Sequence, residues 1–244
     1  MNKFGLIGAG LIGGTLARRL AVLGHEVKIA NSKAPSTLIG FDVPRITPAW
    51  ATDALRGVDV AIISVPQSAI ACLSEEVLVG LRQAPIVIDT GNYYPNRDGR
   101  IDMIDEGLAD SEWVAKQLGR PVFKVFNSIG AVSLLKKGRP FGAKNRIALP
   151  VAGPAGSNKR RVMSLVDELG FDPVDGGELN DSWRQQPGTP AYCADLTAAE
   201  LSKQIARATV RDSAQYQWRR DSTDTVAGSA RQRQMMANDH REAR

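Results

Sequence analysis

Gly8, Gly10 and Gly13 stand in the spacing GxGxxG inside the run GLIGAGLIG. That spacing suits the pyrophosphate of a dinucleotide. The first glycine allows a tight turn, the second lets the backbone approach the phosphates, and the third lets a helix pack closely on a strand. With Ala9 between them and Leu11 and Ile12 following, the N–H groups of an opening helical turn would face the anion. The motif carries weight only between a strand and a helix. Lys3–Ile7 reads as that strand, and Leu11–Leu23 as the helix, with Leu16, Leu20 and Leu23 on one face.

A second signal lies at Asn31-Ser32-Lys33, just after a predicted strand at Glu26–Ala30. Units that bind NAD place a carboxylate near this point to hold the adenosine ribose. No carboxylate stands in this tripeptide. A carboxylate would repel a 2′-phosphate, whereas an amide, a hydroxyl and an ammonium would accept one. The tripeptide therefore predicts NADP, with Asn31 and Ser32 donating hydrogen bonds and Lys33 supplying charge. Arg45 would add a second charge if its loop folded back over the adenine side.

Open α/β sheets bind ligands beyond the carboxyl ends of their strands, where the strand order switches. Three predicted strand ends carry suitable residues. Val65-Pro66-Gln67 follows DVAIIS, and Pro66 offers an apolar face for the nicotinamide. Thr90-Gly91-Asn92-Tyr93-Tyr94 follows IVID, and Asn92 can both donate and accept toward the cofactor. Asn127-Ser128-Ile129-Gly130 follows VFKVF, and these residues are expected to face the same crevice. Each group is also an ordinary turn or capping set; their convergence on one glycine-rich turn favours a site.

The missing groups narrow the chemistry. The chain has two histidines. His25 precedes the second strand and is expected at the surface, and His240 lies near the chain end. No Ser-His-Asp set, metal cluster or paired carboxylate is legible. Reactions on a carbonyl or alcohol usually need a placed acid or base. Hydride passage between two redox rings needs mainly alignment. The expected catalytic residue set is therefore empty, and the expected acceptor is planar.

The elements that must position these residues form an alternation of strands and helices. Apolar strands are predicted at 58–64, 86–89, 122–125 and 147–151, and a short one at 171–175. Helices are predicted near 68–81, 111–118 and 157–169. Strand three is placed near 43–46. Continuous apolar runs such as DVAIIS suit parallel strands covered on both faces. The fold class is α/β: a Rossmann-type, doubly wound, mostly parallel sheet with a small C-terminal helical part. Residues 1–178 form the nucleotide-binding domain in this reading. Asp175–Pro190 is a polar, turn-rich junction, 179–220 a helical part, and 221–244 a flexible tail.

The chain of 244 residues carries a net charge of +5. Its basic residues are scattered apart from Lys159-Arg160-Arg161 and Arg219-Arg220, and its sparse aromatics do not interleave with them. A nucleic-acid partner is not expected; an anionic cofactor accounts for the balance equally well. No run reaches the length of a membrane span, and no leader pattern precedes the first strand. A cytoplasmic protein without a membrane partner is expected. Cys72 and Cys193 offer neither a disulfide framework nor metal spacing, and each is read as free and able to be buried.

The stretches GLIGAGLIGGTLARRLAVLGHEVKIANSK, DVAIISVP, VIDTGNYYPNRDG, VFKVFNSI, IALPVAG and GFDPVDGGEL together support a family reading. Over residues 3–192 the chain resembles the bacterial form of the NADP-dependent oxidoreductases that use the deazaflavin coenzyme F-420. The resemblance implies a homodimer with NADP along the glycine-rich turn. Gly8, Gly10, Leu11, Ile12 and Gly13 would hold the pyrophosphate, and Asn31, Ser32 and Lys33 the 2′-phosphate. The family has arginines beside the serine, so this chain is less basic there. Val65 and Pro66 would line the nicotinamide. Pro66, Asn127, Ser128 and Ile129 would border the acceptor ring, with Ala152 and Gly153 as the floor. The co-substrate would be F-420 or a flavin. The competing readings are an NADPH-dependent reductase of flavin, quinone or ferric chelate, and a non-catalytic NADP-binding redox sensor. An imine reductase of the proline-biosynthesis type lacks a clear counterpart to its expected proton-donating hydroxyl.

Overall fold

The computed structural model describes residues 2–209. Among these residues the strands are β1 (Lys3–Ile7), β2 (Glu26–Ala30), β3 (Ile46–Pro48), β4 (Val60–Ile63), β5 (Ile86–Asp89), β6 (Phe123–Lys124), β7 (Ala148–Val151) and β8 (Asp172–Asp175). The helices are α1 (Leu11–Val22), α2 (Ala51–Ala54), α3 (Gln67–Ile70), α4 (Glu75–Gln83), α5 (Pro95–Asp98), α6 (Asp102–Asp105), α7 (Asp110–Leu118), α8 (Ala131–Lys136), α9 (Ser157–Glu168) and α10 (Ala198–Arg207). Short 3₁₀ turns lie at Pro35–Thr37 and Leu179–Gln185.

A six-stranded sheet runs in the order β3-β2-β1-β4-β5-β6, with every pairing parallel. The order reverses between β1 and β4, whose register pairs Ile7 with Ile63. The crevice of a doubly wound sheet opens at that switch. The predicted fold class is the observed one. Alternation explains why the central strands read as unbroken apolar runs. Leu6, Ile62 and Ile88 face α1, α8 and α9 through Leu16, Leu20, Leu134, Val162 and Val166. Ile7, Ile63 and Val87 face α2, α4 and α7 through Ala54, Leu81, Val114 and Leu118. Neighbouring residues of one strand thus enter opposite cores. Each fully buried leucine or isoleucine contributes on the order of 2 kcal/mol by leaving water.

β7 and β8 form a separate parallel pair. It joins the main sheet through one antiparallel bridge between Lys124 and Ala152. α10 packs on this pair through Leu201, next to Ala148 and Ala191. Its start is fixed by a capping box: Thr197 donates its N–H to the Glu200 carboxylate at 2.9 Å and its hydroxyl at 2.7 Å.

Several local expectations change. Strand three lies at Ile46–Pro48, three residues beyond the predicted start. The predicted helix at 68–81 is two helices, because Ser74 followed by Glu75 and Glu76 makes a fresh N-terminus for α4. The polar stretch after Asp175 is not a mere junction. Its 3₁₀ turn buries Ser182 and Gln185 against the sheet edge. His25 is buried, not superficial. Its Nδ1 accepts the Asn2 N–H at 3.2 Å, and its Nε2 lies 3.0 Å from a Glu168 carboxylate oxygen. Cys72 and Cys193 are both exposed, not buried. No helix among the described residues is long and apolar enough to cross a membrane. The expected tail at 221–244 lies outside the described residues.

Candidate dinucleotide and acceptor site

The turn from β1 into α1 shows a separate reason for each glycine. Gly8 has φ +108°, and an added Cβ would collide with the Ser64 carbonyl. Gly13 is pressed on the Gly8 carbonyl where α1 crosses the strand end. An added Cβ at Gly10 would meet no protein atom within 4 Å, and Gly10 lines a cavity. So Gly8 and Gly13 serve the fold, while Gly10 keeps the cavity edge low. The first turn of α1 has no acidic residue and no side-chain cap. Its backbone N–H groups thus present partial positive charge at this edge.

The cavity has a volume of about 700 Å³ and runs along the carboxyl ends of β1, β2 and β4. Gly8, Ala9 and Gly10 form its edge, and Asn31, Ser32 and Thr37 form its polar end. Leu38, Ile39, Phe41 and Leu73 supply apolar walls, and Val65 and Pro66 line it at the end of β4. The Arg18 guanidinium stacks 4.0 Å over the Phe41 ring and donates to the Gly40 carbonyl at 3.2 Å. It fixes the wall that Phe41 forms, a role its sequence position did not reveal.

Asn31 departs from its expected role. Its Oδ1 accepts the Lys33 N–H at 2.8 Å, and its Nδ2 donates to the Thr37 hydroxyl at 3.0 Å. This is an Asx turn that shapes the loop, leaving Ser32 and Lys33 exposed beside the cavity. Arg45 stands at the opposite strand end, where its carbonyl accepts the Val27 N–H at 2.8 Å. It cannot reach over the adenine side as anticipated.

The acceptor-side residues divide. Asn127 is buried and its amide is engaged. Its Nδ2 donates to Asn92 Oδ1 at 3.0 Å and to the Gln185 carbonyl at 2.8 Å, while its Oδ1 accepts from Gln185 Nε2 at 2.8 Å. Asn92 returns a bond from Nδ2 to the Asn127 carbonyl at 2.9 Å. These bonds brace Phe126, which is fully buried with φ +64°, a costly backbone state for a non-glycine residue. Ile129 belongs to the core under α1 and α8, not to the crevice. Ser128 Oγ is buried without a protein partner, as is Gln67 Nε2 beside Pro66.

Ala152 and Gly153 do not form a floor. Ala152 bridges Lys124 antiparallel, so the chain beyond it returns toward the amino end of β6, where Gly153 packs against Phe123 and the Val122 carbonyl. That is the sheet edge away from the crevice.

Two groups at the strand ends escaped the sequence reading. The Tyr94 and Tyr192 hydroxyl oxygens lie 2.6 Å apart. Burial, with Tyr94 alongside, pushes the Tyr192 hydroxyl well above its ordinary range, so it stays neutral. Beneath the β5 end, Lys124, Asp89 and Asp110 are buried together, with Lys124 Nζ 3.6 Å from Asp89 Oδ2 and 4.0 Å from Asp110 Oδ2. Paired carboxylates therefore do exist here, contrary to expectation. Burial raises Asp110 to about 6 against the opposing pull of Lys124. The sequence separation from 89 to 124 hid the cluster.

Residues 3–93 match the family described as NADP oxidoreductase coenzyme F420-dependent. The chain resembles that family in sequence and fold. A Sinorhizobium meliloti protein of known structure, the hypothetical protein SMa0349, is 29% identical, with 81% of this chain and 96% of that one covered and a TM-score of 0.66. A structure from Arthrobacter sp. FB24, described as a candidate F420-dependent NADP-reductase, shares the fold. It is 24% identical over 73% of this chain and 86% of that one, with a TM-score of 0.59. Protein YjhV of Escherichia coli strain K12 is 47% identical over 62 residues, 25% of this chain and 45% of that protein. The chain thus matches less than half the length of that relative. The match to the family spans the glycine turn, the Asn31–Lys33 loop, the Val65–Pro66 strand end and the Gly91–Tyr93 loop. Over this stretch the chain is similar to an NADP(H)-dependent oxidoreductase family.

Proposed function

We propose that the protein is an oxidoreductase passing a hydride between NADP(H) and a planar acceptor, with the deazaflavin coenzyme F-420 as the best-supported acceptor. The cavity carries the reading. A glycine edge and an uncapped helix start lie at one place on its wall, and a carboxylate-free β2 end at another. The match to the F420-dependent family supports the acceptor.

Gly10 and the N–H groups of the first turn of α1 would hold the pyrophosphate. Ser32, Thr37 and Lys33 would receive the 2′-phosphate on a loop shaped by Asn31. Leu38, Ile39, Phe41 and Leu73 offer apolar walls for the adenine, and Val65 and Pro66 for the nicotinamide. Bound NADPH supplies the hydride. The protein's part is to align the acceptor and keep water from it, using Pro66, Ser128 and the loop braced by Asn127. The cavity lining holds no histidine, carboxylate or lysine, and its one thiol is Cys72, so alignment would carry most of the rate.

Calorimetry with NADPH and NADH, followed by turnover with F-420, FMN, a quinone and a ferric chelate, tests this. Tight NADPH binding with F-420 reduction is expected. With NADPH deuterated at the transferred position, the label should appear on the deazaflavin carbon. NADPH binding with no acceptor reduced would leave a redox sensor in place of an enzyme.

A further inference from the structure

The backbone of the loop after β5 is held by charged side chains at successive positions. Asp89 Oδ1 accepts the Gly91 N–H at 2.8 Å, and Lys124 Nζ donates to the Gly91 carbonyl at 2.7 Å. Arg97 Nη2 donates to the Asn92 carbonyl at 2.6 Å. Asp110 Oδ2 accepts the Tyr93 N–H at 2.8 Å, and Asp98 Oδ2 the Tyr94 N–H at 2.9 Å. The Tyr93 hydroxyl lies 3.1 Å from Asp105 Oδ1.

The side chains of Lys124, Asp89, Asp110 and Asp98 are fully covered. Buried charges carry a large desolvation cost unless paired and hydrogen-bonded. A plain surface turn would need none of them. Arg97 and Asp98 also reach the start of α3, just after the cavity-lining Pro66. Arg97 Nη2 lies 3.4 Å from Gln67 Oε1, and Asp98 Oδ1 accepts from the Ser68 hydroxyl at 3.2 Å. The cage therefore couples the loop to the segment that begins at Pro66. Its charges are spent on the loop backbone, on one another and on Gln67 and Ser68, whereas the side chains it leaves toward Asn127 and Tyr192 are an amide, Asn92, and a phenol, Tyr94.

We propose that this charged cage is a positioning device of the acceptor site: it locks Gly91–Tyr94 so that a neutral, hydrogen-bonding face meets an uncharged ring edge of the acceptor and not a carboxylate. The inference rests on the hydride-transfer reading above and assigns Arg97 and Asp98 as positioning residues. Small displacements of an aligned reactant are costly in rate, on the order of a hundredfold for about 1 Å. Loosening the loop should therefore act on the acceptor while sparing the nucleotide.

The experiment compares the full-length protein with Arg97→Met and Asp98→Asn, with neutral 5-deazariboflavin as the acceptor and pyruvate as the carboxylate-bearing competitor. NADPH affinity comes from calorimetry, kcat and KM from steady state, and loop protection from amide exchange. Arg97 is partly exposed, so its variant should fold even if Asp98→Asn does not. The expected result is a KM for 5-deazariboflavin raised roughly tenfold, with NADPH affinity held within about twofold. The Gly91, Tyr93 and Tyr94 amides should lose protection. An unchanged KM, parallel losses in NADPH affinity and KM, or a wild-type preference for pyruvate would overturn the proposal. NADPH binding without reduction of 5-deazariboflavin would overturn it too, leaving the nucleotide site standing. Failure to bind NADPH would instead overturn the hydride-transfer reading itself.

Discussion

The glycine turn after β1 and the loop after β5 end neighbouring parts of one sheet, yet they are built on opposite principles. The first is made by removing side chains: Gly8 and Gly10 bring backbone to the surface of a cavity, and Gly13 lets α1 close on the turn. The second is made by adding charge: Asp89, Asp98, Asp110, Lys124 and Arg97 surround the backbone of Gly91–Tyr94. An anion can be held by N–H groups wherever a helix begins. In the proposed reading the second wall would meet a neutral ring, which offers no such handle and needs a wall that is rigid before it arrives.

The glycine turn should break most sharply, and unevenly. Gly8→Ala and Gly13→Ala each force a Cβ onto backbone oxygen, and Gly8 also has φ +108°. Each should cost more than about 3 kcal/mol of stability. Gly10→Ala should keep its melting temperature and lose NADPH affinity roughly tenfold or more, because the new methyl stands where the phosphate would approach. Thermal denaturation and calorimetry on the three variants separate fold from function. Equal destabilisation by all three would show that Gly10 is only a packing residue.

The caged loop should fail through its charges. Lys124→Met leaves Asp89 and Asp110 buried without their cation, and such orphaned charges cost about 3–5 kcal/mol. Adding Asp110→Asn should return part of that loss. A double variant no more stable than Lys124→Met would mean that the carboxylates do not depend on Lys124.

This contrast also explains what was legible in the sequence. GxGxxG spans six residues, so a strand, a turn and a helix could be read from one stretch, and β1 and β2 lie where predicted. The cage draws on residues from 89 to 124, and no local spacing marks them. Ile129 was misplaced because a strand-end apolar residue can turn toward either the crevice or the core; here the left-handed Phe126 rotates the chain and sends it inward. Ala152 and Gly153 were misplaced because Ala152, just past β7, bridges Lys124 of β6 antiparallel, a topological fact that an apolar pattern cannot carry. Asn31 was read as a ligand-binding amide, although a residue of its type two positions before a free N–H is as well suited to an Asx turn.

Acid should sharpen the view of the cage. Asp110 lies at about 6 in the fold, against 3.8 for an ordinary carboxyl. The charges facing it are Lys124 on β6, Asp89 on β5 and Asp98 on α5. The folded protein therefore keeps a proton that the unfolded chain releases. The stability from this group is fully present below about 4 and is lost as pH rises through about 6, by at most about 3 kcal/mol. Denaturant melts of wild type and Asp110→Asn between pH 4 and 7 should show the difference between them changing across that window. A constant difference would place Asp110 outside the titration.

The smallest expected effect lies at the polar end of the cavity, where the two construction principles meet. Lys33 is exposed, and the Asn31 turn holds it through its backbone N–H. Lys33→Ala should leave the Asx turn intact, since the bond uses the N–H and not the side chain. It should weaken NADPH roughly tenfold, as for loss of one charge-assisted contact to phosphate, and leave NADH nearly unchanged. Asn31→Ala should instead release the turn and weaken both cofactors, because the Thr37 hydroxyl and the Lys33 backbone lose their common anchor. Calorimetry with both nucleotides resolves the two cases. Equal weakening of NADPH and NADH by Lys33→Ala would remove Lys33 from the 2′-phosphate. A selective loss of NADPH in Asn31→Ala would return Asn31 to the direct contact that its sequence position first suggested.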